Sequence, residues 1–199
     1  MPLPGVAVAL LALWVGGRRE RRSRAFARNA ALTRFVLEMR HNAVLQARGA
    51  RMVDVLLCMG PEQVPAGLPP RLSVAALEGL PADAYSEDRA WPLPSRRAPL
   101  HAAPLYLASL RLQVADWNSA VRLWEIQPAY LSQDGARTLP AAATFGVYMG
   151  LQQVADLLPK GDAEYVRGMT RCSDAVAETA VPIPADWQEH TGEAAQQRD

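Results

Sequence analysis

The sequence predicts an all-α protein: a short N-terminal transmembrane helix followed by a four-helix-bundle-like domain with a proline-rich insert. Three observations predict it. Apolar residues recur at alternating spacings of three and four along four stretches, the period of helices packed along their length. Nowhere does the strict alternation of a half-buried strand occur. An uncharged apolar run, Leu3 to Gly17, leads straight into Arg18-Arg19-Glu20-Arg21-Arg22-Ser23-Arg24, the order in which a helix leaves hydrocarbon and meets anionic headgroups.

The apolar run measures roughly 22 Å as a helix, against a hydrocarbon core of about 30 Å. That is short for a span, but arginine stems can snorkel and lengthen it. Trp14 stands where an interfacial aromatic belongs. Gly16-Gly17 is expected to loosen the chain before the arginines. A cleaved signal peptide fits poorly, because such peptides begin with positive charge and here the charge follows. The positive-inside rule then puts the N-terminus outside and the body in the cytoplasm, as a single-pass protein of a bacterial inner membrane. Trp14, Arg18, Arg19, Arg21, Arg22 and Arg24 are the expected contacts with the anionic surface.

Charge is distributed unevenly. Residues 18–51 carry ten Arg against Glu20 and Glu38, whereas the chain from Met52 onward carries eleven basic and eighteen acidic residues. A cationic end beside an apolar end, joined to an anionic body, favours a lipid surface over nucleic acid, which the body would repel, and a plain topology determinant with no specific ligand over either. Cys58 and Cys172 have no CxxC spacing and no neighbouring His, and both are expected as buried reduced thiols.

Each helix has its own signals. Residues 23–59 read as one helix with the stripe Leu32, Val36, Met39, Ala43, Gln46, Ala50, Val53 and Leu57, weakened in its middle by Gln46 and Gly49 and ended by Gly60-Pro61. Nine of the sixteen prolines then fall between Gly60 and Pro104, which leaves room for only a short helix over 74–80, with Ser73 as N-cap, and a possible turn after Ser86. The apolar residues of this insert, including Leu72, Leu77, Trp91 and Leu93, predict that it packs on the body. Leu107, Leu110, Val114, Trp117, Val121 and Trp124 define the next helix, closed by Pro128. The two Trp are read as core, not as an aromatic ligand groove. Thr138 is expected to cap a helix with the stripe Val147, Leu151, Val154 and Leu158, in which Gly146 and Gly150 allow a close crossing. Asp162 is expected to cap a last helix reaching Ala180. The expected organisation is 1–17 anchor, 18–28 arginine-rich segment, 29–181 helical domain with insert 60–104, and 182–199 disordered tail.

Chemistry is hard to find. Glu38 and His41 match a single Glu-x-x-His, but two-metal carboxylate bundles need two such motifs, and Glu38 lies off the apolar stripe. Both are therefore expected on a solvated face. His101 and His190 stand alone, so no metal is expected. Phosphate-cradling glycine motifs and nucleophile elbows are missing, and no cofactor or catalytic residue is predicted. Asp54, Asp116 and Asp156 are read as exposed or capping. The expected role is a membrane-tethered, non-catalytic helical adaptor or regulator with a protein partner or a second copy. The alternatives are a soluble helical regulator whose first segment binds a partner protein or nucleic acid, and an enzyme whose site assembles only in three dimensions.

Overall fold

Between Pro4 and Pro61 no proline interrupts a stretch rich in Ala, Leu and Arg, and almost the whole of it forms one helix, α1 (Leu3–Cys58). This computed structural model describes residues 3–60, 62–80, 85, 102–133 and 135–180. Gly16 and Gly17 do not loosen α1 as expected: each costs only about 1 kcal/mol relative to Ala, and strong helix formers stand on both sides. No residue from Trp14 to Ala31 is buried, and burial begins at Leu32. From there Phe35, Val36, Met39, Ala43, Ala50, Val53 and Leu56 face the core, so the expected stripe holds except that Leu56, not Leu57, is its last buried member.

The other helices are α2 (Ala75–Glu78), α3 (Ala103–Ile126), α4 (Thr138–Ala155), α5 (Lys160–Met169) and α6 (Asp174–Ala180). A 3-10 turn, Pro128–Ser132, follows α3, so Pro128 closes that helix as its position predicts. Gly135, at φ 76°, turns the chain back toward α4, a conformation that costs a glycine nothing. There is no strand among the described residues.

Helix α4 holds the domain together. It has no charged side chain, buries nine of its residues, and packs against α1, α3, α5 and α6. Its partner α3 buries Leu110, Val114, Trp117, Val121 and Trp124, so both Trp belong to the core as expected. Gly150 lies where α3 and α4 approach closely: a Cβ there would overlap the Gln113 amide oxygen and come within 3.0 Å of Leu110. The Gly146 and Gly150 reading is thus a helix crossing between α3 and α4.

Several expectations need correction. Gly49 is no weak point: the Trp117 ring packs against it so closely that a Cβ would fall 2.6 Å from the indole. Thr138 does not cap α4. It is the first helical residue, preceded by Arg137, and no side chain caps that end. The last helix is two helices, because Thr170 turns to extended backbone and the chain restarts at Asp174. Asp162 lies inside the first turn of α5, whose N-cap is Pro159. Cys58 is exposed and Cys172 half-buried, so neither is the buried thiol expected.

No helix among the described residues is long and apolar enough to cross a membrane. The apolar run is about 15 residues where a span needs about 20, and it continues without a break into the arginines. The all-α architecture stands, and α1 gives the transmembrane element no support. The expected tail 182–199, the turn after Ser86, and Trp91, Leu93, His101, Trp187 and His190 lie outside the described residues.

Candidate functional site

The residues singled out at the N-terminal end share one helix and divide between two sides of it. At about 100° per residue, Trp14, Val15, Arg18, Arg19 and Arg22 fall on one side of α1, while Glu20 and Arg24 fall on the other. The structure joins the first group: together they line a shallow concavity of about 300 Å³. Arg18 sits over the Trp14 ring, 5.2 Å from its centroid, a cation–π pair worth about 0.5–1 kcal/mol at an exposed site. Trp14 itself is 61% exposed. On the opposite side Arg24 pairs with Glu20 one turn back, both largely exposed. Arg21 is exposed at the margin between the two groups. The six predicted contacts are therefore not equivalent: Arg24 lies opposite the centre of the side that Trp14, Arg18, Arg22 and Arg19 share, and it is paired with Glu20.

The Glu38 and His41 expectation is half right. His41 is exposed. Glu38, however, is no solvated carboxylate. Its Oε2 accepts from Ser73 Oγ and from Ala76 N, both at 2.8 Å, and its Oε1 accepts from Leu77 N at 3.1 Å. A carboxylate from α1 thus caps the first turn of α2 across 38 residues of sequence. Ser73, the expected N-cap, contributes only a long contact to Ala75 N at 3.4 Å. Glu38 thus ties α2 to α1 through these three contacts.

Other polar groups serve the same purpose. Asn42 donates to Ser73 O at 2.7 Å and accepts from Ser73 N at 3.1 Å. Asn118 makes the same two-way pair with Leu72, and Gln46 makes it with Arg171. Trp117 Nε1 donates to Pro70 O at 2.9 Å. Three carboxamides and an indole thereby hold stretches of non-helical chain, and in the insert the backbone groups of Pro70, Leu72 and Ser73 find their partners on α1 and α3. Arg137 gathers Leu56 O, Met59 O, Gly60 O and Gln63 O around the C-terminal end of α1. Asp54 accepts from Ser173 Oγ, which caps α6 through Val176 N at 3.2 Å, and Asp156 pairs with Arg167. Burial and the nearby Asp54 and Asp174 raise the pKa of the Cys172 thiol, the opposite of what a reactive cysteine needs. Burial against Phe35 likewise raises the phenol of Tyr85. No group of three His, Cys, Asp or Glu suited to a metal occurs among the described residues.

Sequence reasoning missed one surface. Leu105, Ala108, Leu112, Ala115, Ser119, Arg122 and Ile126 form a second three-and-four series on α3, and every one is exposed. The period was readable, but the buried stripe of the same helix masked it. Beside this series, Asp116, Ala120 and Leu123 of α3 and Leu139, Ala142 and Gly146 of α4 border a groove of about 370 Å³.

The class these features define is an all-α bundle with a cationic helical arm and an exposed series on one core helix, apolar except at Ser119 and Arg122. Comparison with protein-family models, with characterised proteins and with solved structures gives no match.

Proposed function

We propose that this protein is a non-catalytic helical interaction protein held at the anionic cytoplasmic face of a bacterial membrane by the N-terminal arm of α1. One observation carries the reading: a 56-residue helix gives no buried residue to its own fold between Trp14 and Ala31. The arm is apolar over Leu3 to Gly17 and cationic beyond, none of its described residues from Trp14 to Ala31 is buried, and a lipid surface suits both halves. The bundle then stands in the cytoplasm. Its exposed α3 series is the surface for a protein partner or a second copy. Nucleic acid is the poorer ligand for the arginines, since the rest of the chain carries an excess of acid. Attachment through a single short span, N-terminus outside, and attachment along one leaflet both keep the body inside.

Cell fractionation tests the proposal. Full-length protein should sediment with membranes and need detergent for release, while a chain beginning at Ser23 should stay in solution. Recovery of the full chain in the soluble fraction would refute the tether. It would favour the second reading, a soluble regulator whose arm binds a partner, which draws on the shortness of the apolar run.

A further inference from the structure

We infer that the face of α1 running from Trp14 to Phe26 is a docking surface for anionic lipid headgroups, on which the helix lies obliquely in one leaflet instead of crossing. This rests on the membrane tether proposed above and names its mode.

The face is defined by register. Trp14, Arg18, Arg22, Val15, Phe26 and Arg19 fall within about 140° of one another around the helix, and Trp14 and Phe26 stand roughly 18 Å apart along it. Both aromatics are bare among the described residues, Trp14 at 61% exposure and Phe26 at 78%. Three guanidinium groups lie between them on the same face, and the one carboxylate of the stretch, Glu20, is on the far side and occupied by Arg24. Apolar rings flanking cations along one helix face match the boundary between acyl chains and phosphates. A perpendicular span does not. It would carry Phe26 well beyond the headgroups into water, and the apolar run is too short to cross. Laid obliquely, the run of about 22 Å needs to enter only one leaflet, roughly half the 30 Å core. Charge complementarity selects the occupant: phosphate-bearing lipid, contacted by Arg18, Arg19 and Arg22.

Flotation of the full-length protein with phosphatidylcholine vesicles, and with vesicles containing phosphatidylglycerol as well, tests the face. Binding should be much tighter to the anionic vesicles. Each arginine on the face is worth about 1 kcal/mol near such a surface, so Arg22→Gln should weaken binding about fivefold. Arg24→Gln removes the same charge from the other side and should change binding less than twofold. Phe26→Ser, which alters no charge, should weaken it several-fold. Circular dichroism of each variant checks that α1 remains helical. Equal losses for Arg22→Gln and Arg24→Gln, or no effect of Phe26→Ser, overturn the face. Equal binding to neutral and anionic vesicles also overturns it but leaves attachment through the apolar run. No binding to either vesicle overturns the tether as well. Tighter binding to a DNA duplex than to anionic vesicles overturns lipid as the occupant.

Discussion

At the scale of single residues, what a side chain meets decides its role more than its type does. Gly49 and Gly150 are both helical glycines in close contact, yet they differ in what a methyl group would strike. At Gly49 it meets the Trp117 indole, which is buried and tied by its N–H to Pro70 O. At Gly150 it meets first the end of the Gln113 side chain, which can swing away. Replacement of either by Ala gains about 1 kcal/mol of helix propensity. Gly49→Ala should nevertheless destabilise the fold by about 1–3 kcal/mol through overpacking, with Gly150→Ala closer to neutral. Urea unfolding of the two variants measures the difference, and equal costs would refute the assignment of Trp117 as the rigid neighbour. The cysteines differ in a comparable way. Iodoacetamide at pH 8 should label exposed Cys58 well before Cys172, whose pKa is raised by burial and by Asp54 and Asp174. The two should react alike in denaturant. The sign of the linkage follows: folding keeps protons on Cys172 and Tyr85 that the unfolded chain releases. Stability should therefore fall as pH rises past about 8.5 for the thiol and about 10 for the phenol.

At the scale of elements, short helices here depend on side chains that belong to long ones. Helix α2 has four residues, fewer than an isolated helix needs to persist in water. It forms where Glu38 of α1 accepts from Ala76 N and Leu77 N and where Leu77 fills the core. Glu38→Ala should cost about 1–3 kcal/mol, because two amide donors lose their acceptor. Hydrogen exchange gives the sharper readout: the Ala76 and Leu77 amides should exchange faster while those of α4 keep their protection. Unchanged exchange at both amides would remove the capping role. The break between α5 and α6 has the same origin. Gln46 pairs with the backbone of Arg171, and Asp54 with Ser173, so α1 supplies the bonds that a continued helix would have made for itself.

At the scale of the whole molecule, α1 divides in two, a part from Leu32 onward that packs in the bundle and a part from Trp14 to Ala31 with no buried residue. The bundle should not depend on the arm. A chain beginning at Ser23 should unfold within a few degrees of the full-length protein, since no residue from Trp14 to Ala31 is buried and the removed segment contributes no core contact beyond Trp14. A drop of ten degrees or more in thermal midpoint would mean that the arm folds back on the body. A C-terminal reporter adds the orientation: activity of a periplasm-only reporter would contradict a cytoplasmic body.

By itself the sequence determined the helices and most of the core, because periodicity and punctuation are local. The 3-4 stripes of α1, α3 and α4 put Leu32, Met39, Val114, Trp117, Trp124, Val147 and Leu151 inside, and Pro and Gly marked where helices stop. The arginine cluster and its apolar neighbour were equally plain. Only the tertiary structure decided the polar half of the interior. Gln46 reads in sequence as an interruption of its stripe, and nothing local singles out Asn42 or Asn118, yet each satisfies both backbone groups of a residue 31 to 125 positions away. No local pattern encodes such a pair, since its partner is extended chain whose place exists only after the helices have packed. The same holds for Glu38, Gly49 and Arg137, and for the sorting of Arg18, Arg19 and Arg22 from Arg24. The last follows from helical register, but it acquires meaning only because that length of α1 continues as helix past the point where the core ends.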